Sequence, residues 1–483
     1  MSSEDPSYWL PFVRLRAAGG RSFRLLRLRP FETETPEGRA RERHRRVALS
    51  SGAALIAKAV SAGSALVTVP LTLSYLGAER YGLWMTISSV IVLMGFADLG
   101  MGNGLLNRIA SSHGRDDRDE ARRYVSSAFV MLAGIALLIA IGFAVAYRFI
   151  DWPRVFNVTS PLARAEAGPA VVVFVAFLCV NMPLDTVQRV QQGYQEGFIS
   201  HLWSIAGSLL ALMALLAVIF AKAGLPWLVA AMSGGPALAM ILNWLSVFLY
   251  SRPWLFPRLT HFSWEAAKSL VGSGALFVLL SLFSLAATSS DNLIIAHVMG
   301  ATMVAAYAVT QKIFVTVMLS QYFVAPLWPA FGESLARQDY AWARRTLRRA
   351  LYISLFVGIC TALPLIVFGR QLIRLWVGPQ VTPSLALLLG FSAWLLLGGY
   401  GGVMSSFLNT RTSLLRRQVW FFGIAAVSSV FLKIALARTW GLPGVIWASV
   451  IAFSLLYVVP AARLAFGYLS ASGAPTGLTK PIS

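Results

Sequence analysis

Twelve apolar runs separated by short polar loops leave this chain few ways to fold. They lie near 47–73, 81–106, 124–147, 168–189, 198–221, 225–250, 265–289, 302–327, 348–369, 382–408, 416–437 and 443–466. An apolar run of about 18 residues or more is long enough to cross a bilayer as a helix. The alternating pattern of a membrane β-barrel is absent. Only 13% of the 483 residues are charged, against about one quarter in an average soluble protein. The expected fold class is an all-α polytopic membrane protein with twelve transmembrane helices. The loops are too short for an inserted soluble domain. The polar, Arg-rich start lacks the apolar core and cleavage site of a signal peptide.

The formal net charge of +21 does not argue for nucleic acid, because placement matters more than the sum in such a chain. With an even number of spans and the N-terminus inside, the tail, the alternate loops 107–123, 189–197, 251–268, 329–349 and 409–417, and the C-terminus share one side. Those segments hold 30 of the 41 Lys and Arg. Nine fall opposite: Arg80, Arg148, Arg154, Arg164, Lys222, Arg370, Arg374, Lys433 and Arg438. Lys58 and Lys312 lie within spans. This bias puts both termini of a multi-pass membrane protein in the cytoplasm. Residues 1–46 carry eleven Arg and six acids and read as a basic tail without fixed structure that sets topology, or else as an anchor on anionic lipids. Cys179 and Cys360 lie inside apolar runs and read as small hydrophobes.

The chain repeats itself. Ser51-Gly52 recurs as Ser273-Gly274, and Ala121-Arg122-Arg123 as Ala343-Arg344-Arg345, both 222 residues later; Gly77 recurs as Gly300. The expected organisation is a cytoplasmic tail (1–46), an N-terminal six-helix bundle (47–250), a C-terminal six-helix bundle (251–466) and a second tail (467–483). Parallel repeats of this kind enclose a substrate path in known transporters.

Polar groups inside the runs mark that path, since ionised side chains in lipid are rare without a partner or a pathway. Lys58 joins Ser51, Ser61, Thr68 and Thr72 on one face of the first run; Ser273, Ser281, Ser284, Thr288 and Asp291 form the corresponding stripe on the seventh, with Asp291 near its outer end. Asp98, Asn103 and Asn107 lie on the second run. Asn181, Asp185, Gln188 and Gln192 share a face of the fourth, beside Arg189. Gln311 and Lys312 lie in the eighth. Hydroxyls alone are more simply helix–helix glue. A structural ion pair, such as Lys58 with Asp98, competes with a transport role for the charged groups.

Chemistry for bond-making is missing. There is no GxxxxGK[ST] loop for ATP, and the five histidines (44, 113, 201, 261 and 297) have no metal spacing. No enzyme activity, cofactor or metal is expected.

The motifs Pro70-Leu71, Leu76-Gly77-x-x-x-Tyr81-Gly82-Leu83-Trp84, Asp98-Leu99-Gly100-Met101-Gly102 and Asp291-Asn292-x-Ile294-Ile295, then Gly300 and Tyr307, occur in this order. Over roughly residues 45 to 466 the chain resembles the polysaccharide biosynthesis, or O-antigen flippase, branch of the multidrug/oligosaccharidyl-lipid/polysaccharide exporter superfamily. The resemblance implies two six-helix bundles that alternate access. It implies as substrate an undecaprenyl-pyrophosphate-linked glycan moved from the inner to the outer leaflet, membrane lipids as surroundings, and a polysaccharide polymerase as partner. Lys58, Lys312 and Arg189 are candidates to meet the pyrophosphate; Asn103, Asn107, Asn181, Gln188 and Gln192 to bind sugars; Asp98, Asp185 or Asp291 to couple protons or Na⁺. The tail gains no role from the resemblance. Rivals are a drug/cation antiporter of the same superfamily, which would want an acidic cavity, and a lipid II-type flippase, which usually has two more spans. A glycan polymerase or ligase would carry a large exported loop, and a scaffold would not need charged groups within spans.

Overall fold

The computed structural model describes residues 30–32, 34–94, 97–156, 158–316, 323–377 and 382–472; the expectations for tail residues 1–29 and 473–483 fall outside them. Among the described residues every element is helical. In order they are α1 (Pro36–Met94), α2 (Met101–Arg115), α3 (Arg118–Tyr147), α4 (Trp152–Val155), α5 (Pro161–Leu184), α6 (Thr186–Gly193), α7 (Gly197–Phe220) and α8 (Leu225–Leu245). After a π turn at Ser246–Ser251 and two short 3₁₀ turns follow α9 (Trp264–Met299), α10 (Ala301–Thr316), α11 (Leu327–Ala336), α12 (Tyr340–Val377), α13 (Leu385–Leu408), α14 (Thr412–Trp440), α15 (Leu442–Phe453) and α16 (Val459–Ser472).

Among the described residues, ten helices are long and apolar enough to cross a membrane, not twelve. The difference lies in the second and eighth runs. The second ends as helix at Met94 and restarts at Met101, after Leu99 and Gly100 take left-handed angles (φ 52° and 69°). The eighth is described as two pieces, α10 and α11, neither long enough alone. In the second run hydropathy sees a continuous apolar stretch, because a broken helix keeps its composition; residues 317–322 of the eighth lie outside the described residues.

The chain-order repeat reappears in backbone geometry. Gly77 breaks α1 at φ 74°, and Gly300 separates α9 from α10 at φ 93°. Asp116 and Gln338, 222 residues apart, are both left-handed (φ 57° and 59°). The next residue in each copy caps a helix: Asp117 accepts from the Glu120 N–H at 2.9 Å, and Asp339 from the Trp342 N–H at 3.1 Å. A carboxylate at that position satisfies one of the orphan N–H groups of the first turn.

Among the described residues the buried apolar side chains form five clusters: two gather mainly first-half residues, one of them with Leu255 and Leu270 of the second, and three lie in the second half. That mixed cluster gathers Met101, Leu105, Val125, Val190 and Phe248; one of the second half gathers Phe331, Leu347, Met404 and Phe407. Large apolar side chains such as Leu138, Phe220, Leu293 and Phe356 are exposed, as a lipid-facing surface requires. In lipid there is little hydrophobic drive between helices, so close packing and interhelical hydrogen bonds hold them. Gln191, Asn243 and Ser200 form one such buried knot, with contacts of 2.6 to 3.0 Å. Cys179 and Cys360 are unpaired, in keeping with their reading as small apolar groups.

The halves approach backbone to backbone at Gly100 and Gly274. A Cβ on Gly100 would stand 2.4 Å from the Gly274 carbonyl oxygen, and a Cβ on Gly274 would stand 2.4 Å from that of Leu99. Both glycines are therefore required by the contact, and Gly100 by its angles as well. Gly100→Ala should lower stability by about 2–4 kcal/mol, from left-handed strain plus overpacking. Gly272→Ala, with nothing within 4 Å of its Cβ position, should cost under about 0.5 kcal/mol. Thermal unfolding of both variants in detergent checks this; equal midpoints would refute the contact.

Candidate functional site

The break before α2 puts a carboxylate where backbone donors need it. Asp98 accepts from the Gly100 N–H at 2.9 Å and the Gly102 N–H at 3.3 Å. It thus caps the first turn of α2, where the helix dipole favours negative charge. It is not paired with Lys58, which is exposed on α1 and has no ion pair among the described residues. The cation beside Asp98 is Arg189. A Cβ at Gly102 would meet the Arg189 Nε at 2.9 Å and the Asp98 Oδ2 at 3.1 Å, so this glycine makes room for both. Arg189 also donates to Asp185 Oδ2 and to Asn103 Oδ1, each at 3.0 Å. Four of the expected residues therefore converge: Asp98, Asn103, Asp185 and Arg189.

Others diverge. Asn107, one turn past Asn103, turns away to the second half. Its Nδ2 donates to the Asn409 carbonyl and its Oδ1 accepts from the Trp328 indole, both at 2.6 Å. Gln188 donates to the Met240 sulfur at 3.3 Å. Asn181 contributes its carbonyl, which accepts from the Asp185 N–H at 2.9 Å. Gln311 is half-buried and Lys312 exposed on α10.

Asp291 is withdrawn from any open surface. It is 4% exposed, lies 2.5 Å from Lys433 Nζ, and accepts from the Tyr307 hydroxyl at 2.9 Å. The charge count over the loops places Lys433 on the outer side. The structure instead buries it, 1% exposed, inside α14, where it also donates to the Ala287 carbonyl. Its position in an apolar stretch seven residues before the helix end gave the sequence little to separate it from a loop cation.

A cavity of about 280 Å³ lies beside the convergent cluster, between α1, α2, α6, α7 and the segment before α11. Its lining includes Arg46, Arg189, Gln192, Gln195, His201 and Trp328, and no carboxylate. Sequence reasoning identifies Arg189 and Gln192. It misses Arg46, at the end of the tail, and His201, an isolated histidine without metal spacing.

Arg46 is there because the last part of the tail is helix. Residues 36–46 continue α1 and dock, contrary to the reading of a tail without fixed structure. Arg46 donates to the Tyr194 carbonyl at 2.6 Å. Arg43, 3% exposed, crosses to the second half, where it pairs with Asp339 and lies 3.8 Å from Glu333 and 4.4 Å from the centre of the Trp342 ring. Glu333 also takes Arg337 at 3.0 Å and the Gln195 amide. Arg337 reaches back to Asp116 at 3.1 Å. The hydrogen bonds and ion pairs that join the halves gather at this basic end of the helices.

Residues 49–335 match the family model described as polysaccharide biosynthesis protein. A relative from Salmonella typhi, named "Putative O-antigen transporter", is 20% identical over 321 residues, covering 66% of this chain and 70% of its own. Among solved structures, a MATE protein in the bent conformation superposes with a TM-score of 0.74 at 16% identity, over 89% of this chain and 96% of that one. A multidrug resistance MATE family transporter of the MOP superfamily, in its outward-facing conformation, gives 0.72 at 17% over the same shares. A MOP superfamily transporter from Pyrococcus furiosus, reported for the reverse polarity of its binding pocket, gives 0.71 at 15% over 89% and 97%.

Two tests follow from the geometry. Lys433→Met leaves the buried Asp291 carboxylate uncompensated and should cost about 3–5 kcal/mol, most of it recovered by adding Asp291→Asn. Thermal unfolding of the single and double variants reads this; a single variant as stable as the parent would refute the pair. The second concerns pH at the docked seam. Burial holds His44 and His113 below their ordinary value of 6.5. At Glu42 burial pushes upward, but hydrogen bonds from Arg45, the Phe31 N–H and Arg46 outweigh it and bring it to about 2. Undocked, all three bind protons more readily. Docking should therefore weaken as pH falls below 6.5, and further below 4.5. Hydrogen exchange of residues 36–50, corrected for intrinsic rates, checks this; protection that rises on acidification would contradict it.

Proposed function

The chain belongs to the polysaccharide biosynthesis protein family and is a multi-pass membrane transporter with the MATE fold, and from that premise we propose that it is a flippase for a lipid-linked oligosaccharide. Its substrate is an undecaprenyl-pyrophosphate-linked glycan, carried from the inner to the outer leaflet of a bacterial plasma membrane by alternating access between two six-helix halves. The cytoplasmic side is the basic end, and both termini lie there. The Salmonella relative named as an O-antigen transporter supports this reading.

The observation that carries it is the lining of the cavity beside α2. Arg46, Arg189 and His201 line it and no carboxylate does, Glu42 and Asp185 holding the two arginines from outside the lining at 2.9 and 3.0 Å. A pyrophosphate entering a site of low dielectric needs fixed cations, and arginine grips phosphate oxygens with two parallel N–H bonds. The polar groups around it, Gln192 and Gln195, suit sugar hydroxyls. An organic cation would meet like charge instead. The nearby acids are already engaged: Asp98 by the α2 N–H groups and Asp185 by Arg189. Asp291, in its closed triad with Lys433 and Tyr307, is the weakest of the three for ion coupling.

The seam at the basic end supports alternating access. In this state ion pairs close the halves on each other there. To admit a substrate from that side, Arg43 must leave Glu333 and Asp339, and Arg337 must leave Asp116. The MATE neighbours keep a drug/cation antiporter as the second reading.

The test is transport by the purified protein in vesicles, with a fluorescent lipid-linked oligosaccharide in one arm and an organic cation in the other. The glycan lipid should flip and the cation should not move. Arg189→Ala should slow flipping about 10- to 100-fold, the worth of one charged hydrogen-bond partner, and Arg189→Lys should restore part. Lys58→Ala reports separately on the exposed cation of α1. Cation transport without glycan flipping would reverse the assignment.

A further inference from the structure

A second cationic cavity lies apart from the proposed substrate site, at the basic end of the seam. It has a volume of about 290 Å³ and is shared by the halves: Arg108 and Arg115 come from α2, Arg411 and Thr412 from the start of α14, and Ser273 from α9. No carboxylate lines it. Arg115 is partly neutralised by Glu120 at its rim. Arg108 donates to the Ser269 hydroxyl at 2.6 Å and stacks on Tyr124, and Arg411 stacks on Tyr468, so neither is consumed by an acid among the described residues. The cavity also receives the N-terminus of the 29-residue α14, whose capping position, Arg411, offers no side-chain acceptor. Its orphan N–H groups and dipole favour an anion.

The second observation is a groove. Between α9 and α14, on the lipid-facing side, lies an apolar channel of about 600 Å³ lined by Leu276, Leu279, Phe283, Trp420 and Val427, with Arg416 as its charged member. The two features run on the same faces of the same two helices. On α9 the register is Ser273, Leu276, Leu279 and Phe283; on α14 it is Thr412, Arg416, Val419 and Gly423, steps of three and four residues that stay on one face. Cations and hydroxyls thus stand at one end of these faces, and the apolar channel lies further along them. A lipid with an anionic head has that polarity.

We propose that this channel is a binding site for an anionic phospholipid of the cytoplasmic leaflet, its phosphate held by Arg411, Arg108 and the α14 N-terminus and a chain lying along α9 and α14. Basic pockets between spanning helices on the cytoplasmic side are suited to such heads. The head bridges the halves where they are closed, so it binds that state better than one in which they part. A ligand shifts an equilibrium by its differential affinity, and this lipid therefore holds the basic end shut. A lipid waiting to be transported would have to do the reverse, which is why a resident phospholipid is favoured over the carrier lipid. The side assignment rests on the charge bias, but the site does not depend on the cargo proposed above.

Photoreactive phosphatidylglycerol, added to the full-length protein in nanodiscs, tests the proposal. Labelling should concentrate in 276–283 and 416–427, and a tenfold excess of phosphatidylglycerol, not phosphatidylcholine, should suppress it. Arg411→Gln with Arg416→Gln should cut the labelling at least 5-fold, and Leu279→Trp, which narrows the channel, should do so without touching a charge. Even labelling over the lipid-facing surface, or equal competition by phosphatidylcholine, would overturn the site. Suppression by glycerol phosphate alone would overturn the role of the channel. Suppression by polyprenyl pyrophosphate at lower concentration than phosphatidylglycerol would overturn the resident phospholipid in favour of the carrier. Wild-type labelling alone decides the site should the variants fail to fold.

Discussion

A backbone inside hydrocarbon has no water to bond, so a break in a spanning helix survives only where protein supplies the missing partners. The break at Leu99 and Gly100 meets that demand with Asp98, which takes the N–H groups of Gly100 and Gly102. Much else follows from it. The restart sets the direction of α2, which then runs into the seam and delivers Asn107, Arg108 and Asp116 to the second half. It brings Gly100 onto Gly274, a backbone contact between the two halves. It also fixes a carboxylate beside Arg189, so that the cation is held without being fully spent.

The sequence made the class of fold and the position of this break's motif legible, because apolar length and the Asp98-Leu99-Gly100 run are local signals. It also made the repeat legible, since equal offsets survive in capping residues such as Asp117 and Asp339. Ten of the twelve expected spans stand as long apolar helices among the described residues, and the second run is interrupted at Leu99 and Gly100, which composition does not register. The candidate site was half legible. Asp98, Asn103, Asp185 and Arg189 meet, as intramembrane polar groups are expected to. Lys433 was misplaced for want of any pattern that separates a buried lysine from one in a short loop. Its partner Asp291 and the hydroxyl of Tyr307 lie 142 and 126 residues away, and such pairing is a property of the packed chain alone. Arg43 and Arg46 were lost in a tail whose eleven arginines look alike until some of them dock.

Charge in this protein is sorted by whether it is answered. Asp291 and Lys433 answer each other in a dry interior, where an isolated ion would be costly. Arg43, Arg337, Glu333, Asp339 and Asp116 answer one another across the boundary between the halves, the one that the proposed cycle would open. Arg46 and Arg189, each held by one carboxylate, Glu42 and Asp185, also line a cavity. The three arrangements use the same residue types and differ in how many partners each finds, and that difference is what separates scaffold, closure and binding surface.

The helix from Pro36 to Gly77 has a mechanical consequence. The 34 residues from 36 to 69, before Pro70, make a rod of about 51 Å. One end is gripped by the second half through Arg43, while its middle packs with the first. Such a rod couples angular phase as well as position. Each added residue turns everything beyond it by about 100°, so a one-residue insertion between Arg46 and Lys58 would swing Arg43 away from Glu333 while leaving the apolar length of the span almost unchanged. Insertions there are tolerable only in near-whole turns. The part of the chain that looked least structured is thereby bound to a stricter length rule than most of its loops.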